Sequence, residues 1–383
     1  MHRSAVFGPQ TAVAALSPRQ SRLCHPGSRA TMKSESDLPL TPASTASIEA
    51  RKEAHLALTM HGPVQESVAD GFAAYRLEHN ALPELDLDQI DMSTSFLGKA
   101  LRAPLLISGM TGGAQRAREI NRNLAAAAQA TGIAFSVGSQ RAALERADLR
   151  TTYQVRDVAP DVLLLGNLGA VQLRRGYGLE QCRGAVTMIG ADGLTFHLNA
   201  LQEALQMHGD TTFAGVEDGI GAICRDLGVP VLVKEVGWGI SGSVARRLEA
   251  AGVSAIDVQG AGGTSWARVE GLRAPTERLR AAADAFAGWG IPTPECIVQV
   301  RATCPDMPII AGGGIRTGVD IAKALALGAD LASAAHPFLE PATRSVEAVV
   351  DRIEQFVFEL RLAMFATGSR NLAMLRQVTV LRR

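Results

Sequence analysis

Between residues 103 and 335 the chain alternates short apolar runs with polar or glycine-rich breaks and longer stretches of helical spacing. The apolar runs cover 104–108, 133–137, 162–165, 193–196, 230–233, 255–258, 308–311 and 329–332, which makes eight candidate strands. Most are continuous apolar segments, not alternating ones. That pattern fits strands covered on both faces, hence a parallel sheet under helices. Helical stretches fill the gaps. Residues 116–130 stop at Gly132 and 216–227 at Gly228; 243–251 start at a capping Ser243 and stop at Gly252; 317–327 start at Thr317 and stop at Gly328. A hydroxyl accepts from an unpaired helix N–H, and glycine takes the left-handed closing turn. Eight β/α units predict an α/β fold, a closed (β/α)8 TIM barrel. An open doubly wound sheet fits less well, because no G-x-G-x-x-G follows the first strand.

Some segments fall outside this rhythm. Residues 48–101 form an N-terminal extension, predicted to cover the bottom or the side of the barrel. Residues 262–293 form a long insertion after strand six; an insertion there faces the functional end and is a candidate lid. Residues 345–367 carry Val346, Val349, Val350, Ile353, Val357, Leu360 and Met364 at helical spacing, a core-facing stripe with no chemistry assigned.

Composition narrows the class. Lys and Arg balance Asp and Glu at 38 each, so no general attraction to nucleic acid or anionic membrane is expected. Aromatics at 4% are too few for a base-stacking platform, and no apolar run is long enough to span a membrane. The five cysteines show no metal or disulfide spacing, which suits a reducing compartment and a cytoplasmic protein. Residues 1–47 read as a tail and 48–383 as one catalytic domain. The start of the tail holds Arg3, Arg19, Arg22, Arg29 and Lys33 with no acid before Glu35. That composition overlaps with a transit peptide, but a disordered tail, or an upstream start before Met32, is the plainer expectation.

In barrels of this kind function collects after the strands. Strand four ends in His197-Leu198-Asn199-Ala200-Leu201-Gln202-Glu203, more polarity than a buried strand end normally carries. Glu203 is a candidate ligand for Mg²⁺, completed by water and phosphate oxygens. Strand seven ends in Gly312-Gly313-Gly314, which lets backbone N–H groups approach a phosphate; a tight turn is the bland alternative. Lys234 ends strand five and needs an anion or an electron-rich ring, or else a pair with Glu235 or Glu203.

Arg51-Lys52 with His55, Gly109-Met110-Thr111-Gly112-Gly113, Gly138-Ser139-Gln140-Arg141, Asn167-Leu168-Gly169, His197-Leu198-Asn199 with Gln202-Glu203, Lys234-Glu235-Val236-Gly237, Gly262-Gly263-Thr264-Ser265-Trp266 and Gly312-Gly313-Gly314-Ile315 occur in one order. The set resembles type 2 isopentenyl diphosphate isomerases over about residues 48 to 370. The resemblance implies interconversion of isopentenyl and dimethylallyl diphosphate by a homo-oligomer, tetramer or octamer. It implies FMN as acid–base cofactor, Mg²⁺ on the diphosphate and NADPH as external reductant. By position, Met110, Thr111, Gly112, Ser139, Asn167, Lys234, Thr264, Gly313, Gly314, Ala334 and Ala335 would touch FMN. Arg51, Lys52, Ser139, Gln140, Arg141 and Gln202 would hold the substrate, and Glu203 the metal. Gln202, with His197 and Asn199, would form the catalytic group. Ala54 stands where an acid usually follows the Arg-Lys pair, and Ser333-Ala334-Ala335-His336 lacks a glycine often present there. The rival expectations are an FMN-dependent oxidoreductase of the 2-hydroxy acid oxidase type and a non-catalytic flavin- or phosphate-binding sensor. The first lacks a histidine after strands six and seven; intact Gln202 and Glu203 speak against the second.

Overall fold

The computed structural model describes residues 42–65 and 71–382, with the side chains of 42–51 and Gln115 left aside; of the expected tail 1–47, residues 1–41 lie outside the described residues and 42–47 begin a helix. Eight strands close a parallel barrel: β1 Leu105–Ile107, β2 Ala134–Ser136, β3 Leu164–Gly169, β4 Gly193–His197, β5 Val231–Lys234, β6 Ala255–Asp257, β7 Ile309–Gly312 and β8 Leu331–Ala334. Each pairs with its neighbours in chain order, and β8 returns to β1 through Ala332↔Leu105 and Ala334↔Ile107. The expected (β/α)8 architecture is the observed one.

The barrel interior has two levels, set by the two-residue period of a strand. The lower inward positions are Leu106, Ala134, Leu165, Leu232, Ile310 and Leu331, all buried in one apolar cluster. Two residues further along each strand stand Ser108, Ser136, Asn167, Lys234, Gly312 and Ser333. One step up the pleat therefore turns a dry floor into a polar one. The floor is plugged from below by a hairpin, Thr94–Phe96 with Lys99–Leu101, whose Phe96 and Leu101 join the same cluster.

Local details differ from the sequence expectation. Strand β3 runs past residue 165 to Gly169, because β4 keeps pairing with it as far as Gly169↔His197; Asn167 is therefore inside a strand. Ser241, not Ser243, caps the helix Gly242–Ala250: its Oγ accepts from the Val244 N–H, and Ser243 only shares a hydroxyl contact with it. Thr317 caps Gly318–Ala326 as expected, with Asp320 completing a reciprocal capping pair. The N-terminal extension divides. Its hairpin covers the bottom, but its helix Pro42–His61 brings Lys52, His55, Leu56 and Thr59 to the opposite, C-terminal face. The strand Tyr75–Leu77 pairs antiparallel with Val380–Arg382 at the far end of the chain. The insertion folds into two helices, Trp266–Arg273 and Glu277–Ala285, capped by Ser265 and Thr276.

Candidate active site

A cavity of about 800 Å³ opens at the C-terminal ends of the strands. At its β7 end, Gly313 and Gly314 take φ of +98° and +75°, a region L-residues avoid. A Cβ on Gly313 would stand 2.1 Å from the Gly260 carbonyl oxygen, so only glycine brings backbone this close. Thr293 Oγ1 holds the turn, donating to the carbonyls of Gly312 (3.0 Å) and Gly313 (2.7 Å). This bare backbone fits a phosphate.

Lys234 rises from the end of β5, with its ammonium donating to the Glu235 carbonyl at 2.9 Å. The Glu235 carboxylate is spent elsewhere: one oxygen accepts the N–H groups of Val236, Gly237 and Trp238 at 2.7, 2.7 and 2.6 Å. Of the two carboxylates weighed as its partner, Glu235 bonds Lys234 through its carbonyl and acts on it otherwise only by charge, and Glu203 is bonded to other groups. Burial pulls the Lys234 pKa below the usual lysine range, against the charges of Asp257 and Glu235.

On the neighbouring strand, β4 ends at His197, whose Nδ1 lies 2.9 Å from Asn167 Oδ1. Burial, with Lys234 and Lys52 nearby, pushes the imidazole down to about 3, so it is neutral, and Nδ1 carries the proton that Asn167 accepts. Asn199 precedes the short helix Ala200–Leu205, which carries Gln202 and Glu203 in its first turn. Glu203 accepts from Asn199 Nδ2 (2.8 Å) and from the Asp210 N–H (2.7 Å). Asn199 Oδ1 is buried without a partner. A carboxylate beside an unused amide oxygen is a hard donor pair that suits Mg²⁺. Among the described residues no group of three or more His, Cys, Asp or Glu forms a metal cage. Gln202 Nε2 donates to Glu270 Oε1 at 3.0 Å.

The upper wall joins the two covers. His55 Nε2 stands 3.0 Å from Glu270 Oε1 and 2.9 Å from Arg273 Nη1, and can donate to the first or accept from the second. Arg273 also donates to Glu270 Oε2 at 2.7 Å. Burial tends to raise the Glu270 pKa, but hydrogen bonds and charge from His55, Gln202 and Arg273 outweigh it and hold the carboxyl below its usual range. Lys52 Nζ donates to the Gly112 carbonyl and the Tyr153 hydroxyl, both at 2.7 Å.

Residues 64–155 and 195–382 match the FMN-dependent dehydrogenase family. The isopentenyl-diphosphate delta-isomerase of Stutzerimonas stutzeri (strain A1501) is 55% identical, over 88% of this chain and 98% of its own length. That of Xanthobacter autotrophicus (strain ATCC BAA-1158 / Py2) is 55% identical over 86% of this chain and 96% of its own. The chain belongs to the isopentenyl-diphosphate delta-isomerase family. The enzyme of that name from Oceanobacillus iheyensis is 45% identical over 87% of the chain. Among solved structures, mandelate oxidase matches with a TM-score of 0.60 at 17% identity, over 88% of this chain and 98% of the oxidase. At that identity the likeness shows the fold alone.

Of the residues expected at FMN, Met110, Thr111, Gly112, Ser139, Asn167 and Lys234 line the cavity, as do Thr264, Gly313, Gly314, Ala334 and Ala335. Of those expected at the substrate, Lys52, Ser139, Arg141 and Gln202 line it too. His197, Asn199 and Glu203 complete the β4 wall. Gln140 does not belong with them. It is fully buried behind the wall, its Nε2 donating to the Ala185 carbonyl (2.8 Å) and its Oε1 accepting the Asn167 N–H (2.9 Å). Its amide is used up joining β3 to the outer helices, so its side chain is not presented to the cavity. The Arg51 side chain lies outside the described residues. Arg141 is tied to Glu145 (2.8 Å) and Asp210 (3.0 Å), so an anion there shares it with two carboxylates.

Sequence reasoning missed Glu270 and Asp257. Glu270 and Arg273 are spaced i,i+3, like an ordinary surface pair, and only the fold buries them. Asp257 carried a signal: it is an acid inside an otherwise apolar strand run, as is Asp330 in the run 329–332.

Proposed function

We propose that this chain interconverts isopentenyl and dimethylallyl diphosphate, moving a double bond without net redox, with FMN in the cavity, Mg²⁺ on Glu203 and NADPH as external reductant. The observation that carries the reading is the Gln202–Glu203 pair. Adjacent residues on one helical turn serve the cavity, the amide held by Glu270 and the carboxylate by Asn199 and the Asp210 N–H. Bound and reduced, FMN supplies acid–base chemistry at carbon. The chain's own residues do the rest. Gly313 and Gly314 receive the cofactor phosphate, and Lys234 sets a positive charge beside the ring. Lys52, Ser139, Arg141 and Arg51 hold the diphosphate, with Glu203 presenting the metal to it. Gln202, kept in place by Glu270, orients the alkene or relays a proton; neutral His197 and Asn199 support that wall. Fixing the diphosphate places the alkene against the ring and removes much of the orientational cost of reaction. The working form expected is a homo-oligomer, tetramer or octamer, in the cytoplasm. Among the described residues no helix is long and apolar enough to cross a membrane.

One assay tests this. The purified protein, yellow when oxidised, is given isopentenyl diphosphate, Mg²⁺ and reduced FMN, and dimethylallyl diphosphate is followed. Product should form only with reduced flavin. Turnover without flavin, or turnover of a 2-hydroxy acid by the oxidised protein instead, overturns the reading.

A further inference from the structure

Asp257 ends β6 directly beside Lys234 of β5, in register, so both side chains enter the polar level of the barrel interior. Asp257 is 2% exposed. Its Oδ2 accepts from Gln259 Nε2 (2.8 Å) and Ser333 Oγ (3.1 Å), while Oδ1 is buried with no partner. Two further features mark the spot. Gln259 sits at φ +38°, unusual for a residue with a side chain. Gly312 must lack a Cβ, which would stand 2.5 Å from Asp257 Oδ1 and 2.1 Å from Gln259 Nε2.

Gln259 Nε2 can only donate, so the Oδ2 it meets is an acceptor, whereas the Ser333 hydroxyl suits either protonation state. The ionised form fits its surroundings, although burial raises its pKa and Lys234 opposes that rise. Among the charged groups facing Lys234, Glu235 is spent on three backbone N–H groups, and neutral His197 pairs with it from β4. Lys52, a cation, faces the same side from the N-terminal helix. Asp257 is the carboxylate set in register with Lys234 inside the barrel, and its charge is the first of the two, ahead of Glu235, to favour the ammonium.

We propose that Asp257 is the counter-charge of Lys234, a positioning residue beneath the cavity floor that keeps this ammonium charged where it meets bound flavin. The inference rests on the flavin part of the reading above and not on isomerisation. The test therefore reads sulfite addition to oxidised bound FMN, a reaction favoured by a cation beside the ring. Asp257→Asn keeps shape and hydrogen-bonding capacity but removes the charge. It should bind FMN yet lose about tenfold or more in sulfite affinity at neutral pH, with the pH limit of adduct formation lowered by about one unit. Lys234→Met should lose as much, and the double variant no more than Lys234→Met alone. Wild-type sulfite affinity and pH profile in Asp257→Asn overturn the proposal, as do fully additive losses. If Asp257→Asn does not fold, the double variant must recover folded protein, because the uncompensated ammonium is gone; failure of both overturns it as well. A wild-type protein that takes up no FMN would instead remove the flavin reading itself.

Discussion

At the scale of single residues, burial decides what each polar group can do. His197 is neutral in the fold, pushed down to about 3 from an ordinary 6.5. Between those values the unfolded chain binds a proton that the folded chain refuses, so folding stability falls as pH drops through that window. The loss is at most about 1.4 kcal/mol per pH unit, and none remains above the unfolded value. Urea unfolding of His197→Gln should show a shallower loss between pH 7 and 5 than wild type; parallel curves would mean that His197 does not titrate as argued. Glu203 is tested through its metal. Glu203→Gln keeps the bond from the Asp210 N–H but loses charge, so the Mg²⁺ concentration for half-maximal activity should rise about tenfold or more. An unchanged Mg²⁺ titration removes the metal from this residue. Such roles were legible wherever a polar residue followed an apolar run. Gln140 shows the limit of that rule: it follows a strand like Arg141 does, yet its amide is consumed by Ala185 and Asn167. Sequence position gives the end of the strand, and only packing says on which side of the wall a side chain falls.

At the scale of elements, the eight apolar runs were readable because both faces of each strand are covered. The same covering hid the two-level interior. In β5, with Val231 and Val233 packed outward on the helices while Leu232 fills the interior, apolar residues on both sides of the pleat mask the period of two. The plugging hairpin was also hidden. Its strands are three residues each and owe their place to Phe96 and Leu101 meeting residues more than 200 positions away in sequence, such as Ile310 and Leu331. Phe96→Ala should therefore cost about 3–5 kcal/mol of stability, since a closed barrel floor has little freedom to collapse around the gap. FMN affinity should hold, because the polar level above belongs to the strands. Chemical denaturation with flavin titration separates the two, and a loss of FMN without a loss of stability would contradict this division.

At the scale of the whole molecule, the cavity is roofed by two pieces of chain about 200 residues apart. Among the described residues, the N-terminal helix and the segment after it meet the insertion through His55 against the Trp266 ring (5.3 Å between centroids), His55 at Glu270 and Arg273, Val64 accepting the Ser265 N–H, and Gln65 donating to Thr264. The insertion was readable as a cover; for its partner only the resemblance that puts Arg51 and Lys52 at the substrate gave a signal, because the residue pattern around position 55 does not say that its helix crosses to the far face. On the proposed reading the barrel would supply Gly313, Gly314 and Lys234 to the cofactor, with Thr264 added from the insertion, whereas the roof would supply Lys52 and, through Glu270, the anchor of Gln202. The two halves of the site should therefore fail separately. Trp266→Ala removes the ring that seats His55 and loosens the roof while leaving the barrel intact. FMN affinity should change little, KM for isopentenyl diphosphate should rise about tenfold, and oxygen should reoxidise the reduced flavin faster as water and gas gain access. Flavin-binding titration, steady-state kinetics under nitrogen and stopped-flow reoxidation read these apart. Loss of FMN with an unchanged KM would show instead that the roof holds the cofactor and that the substrate is held from the barrel.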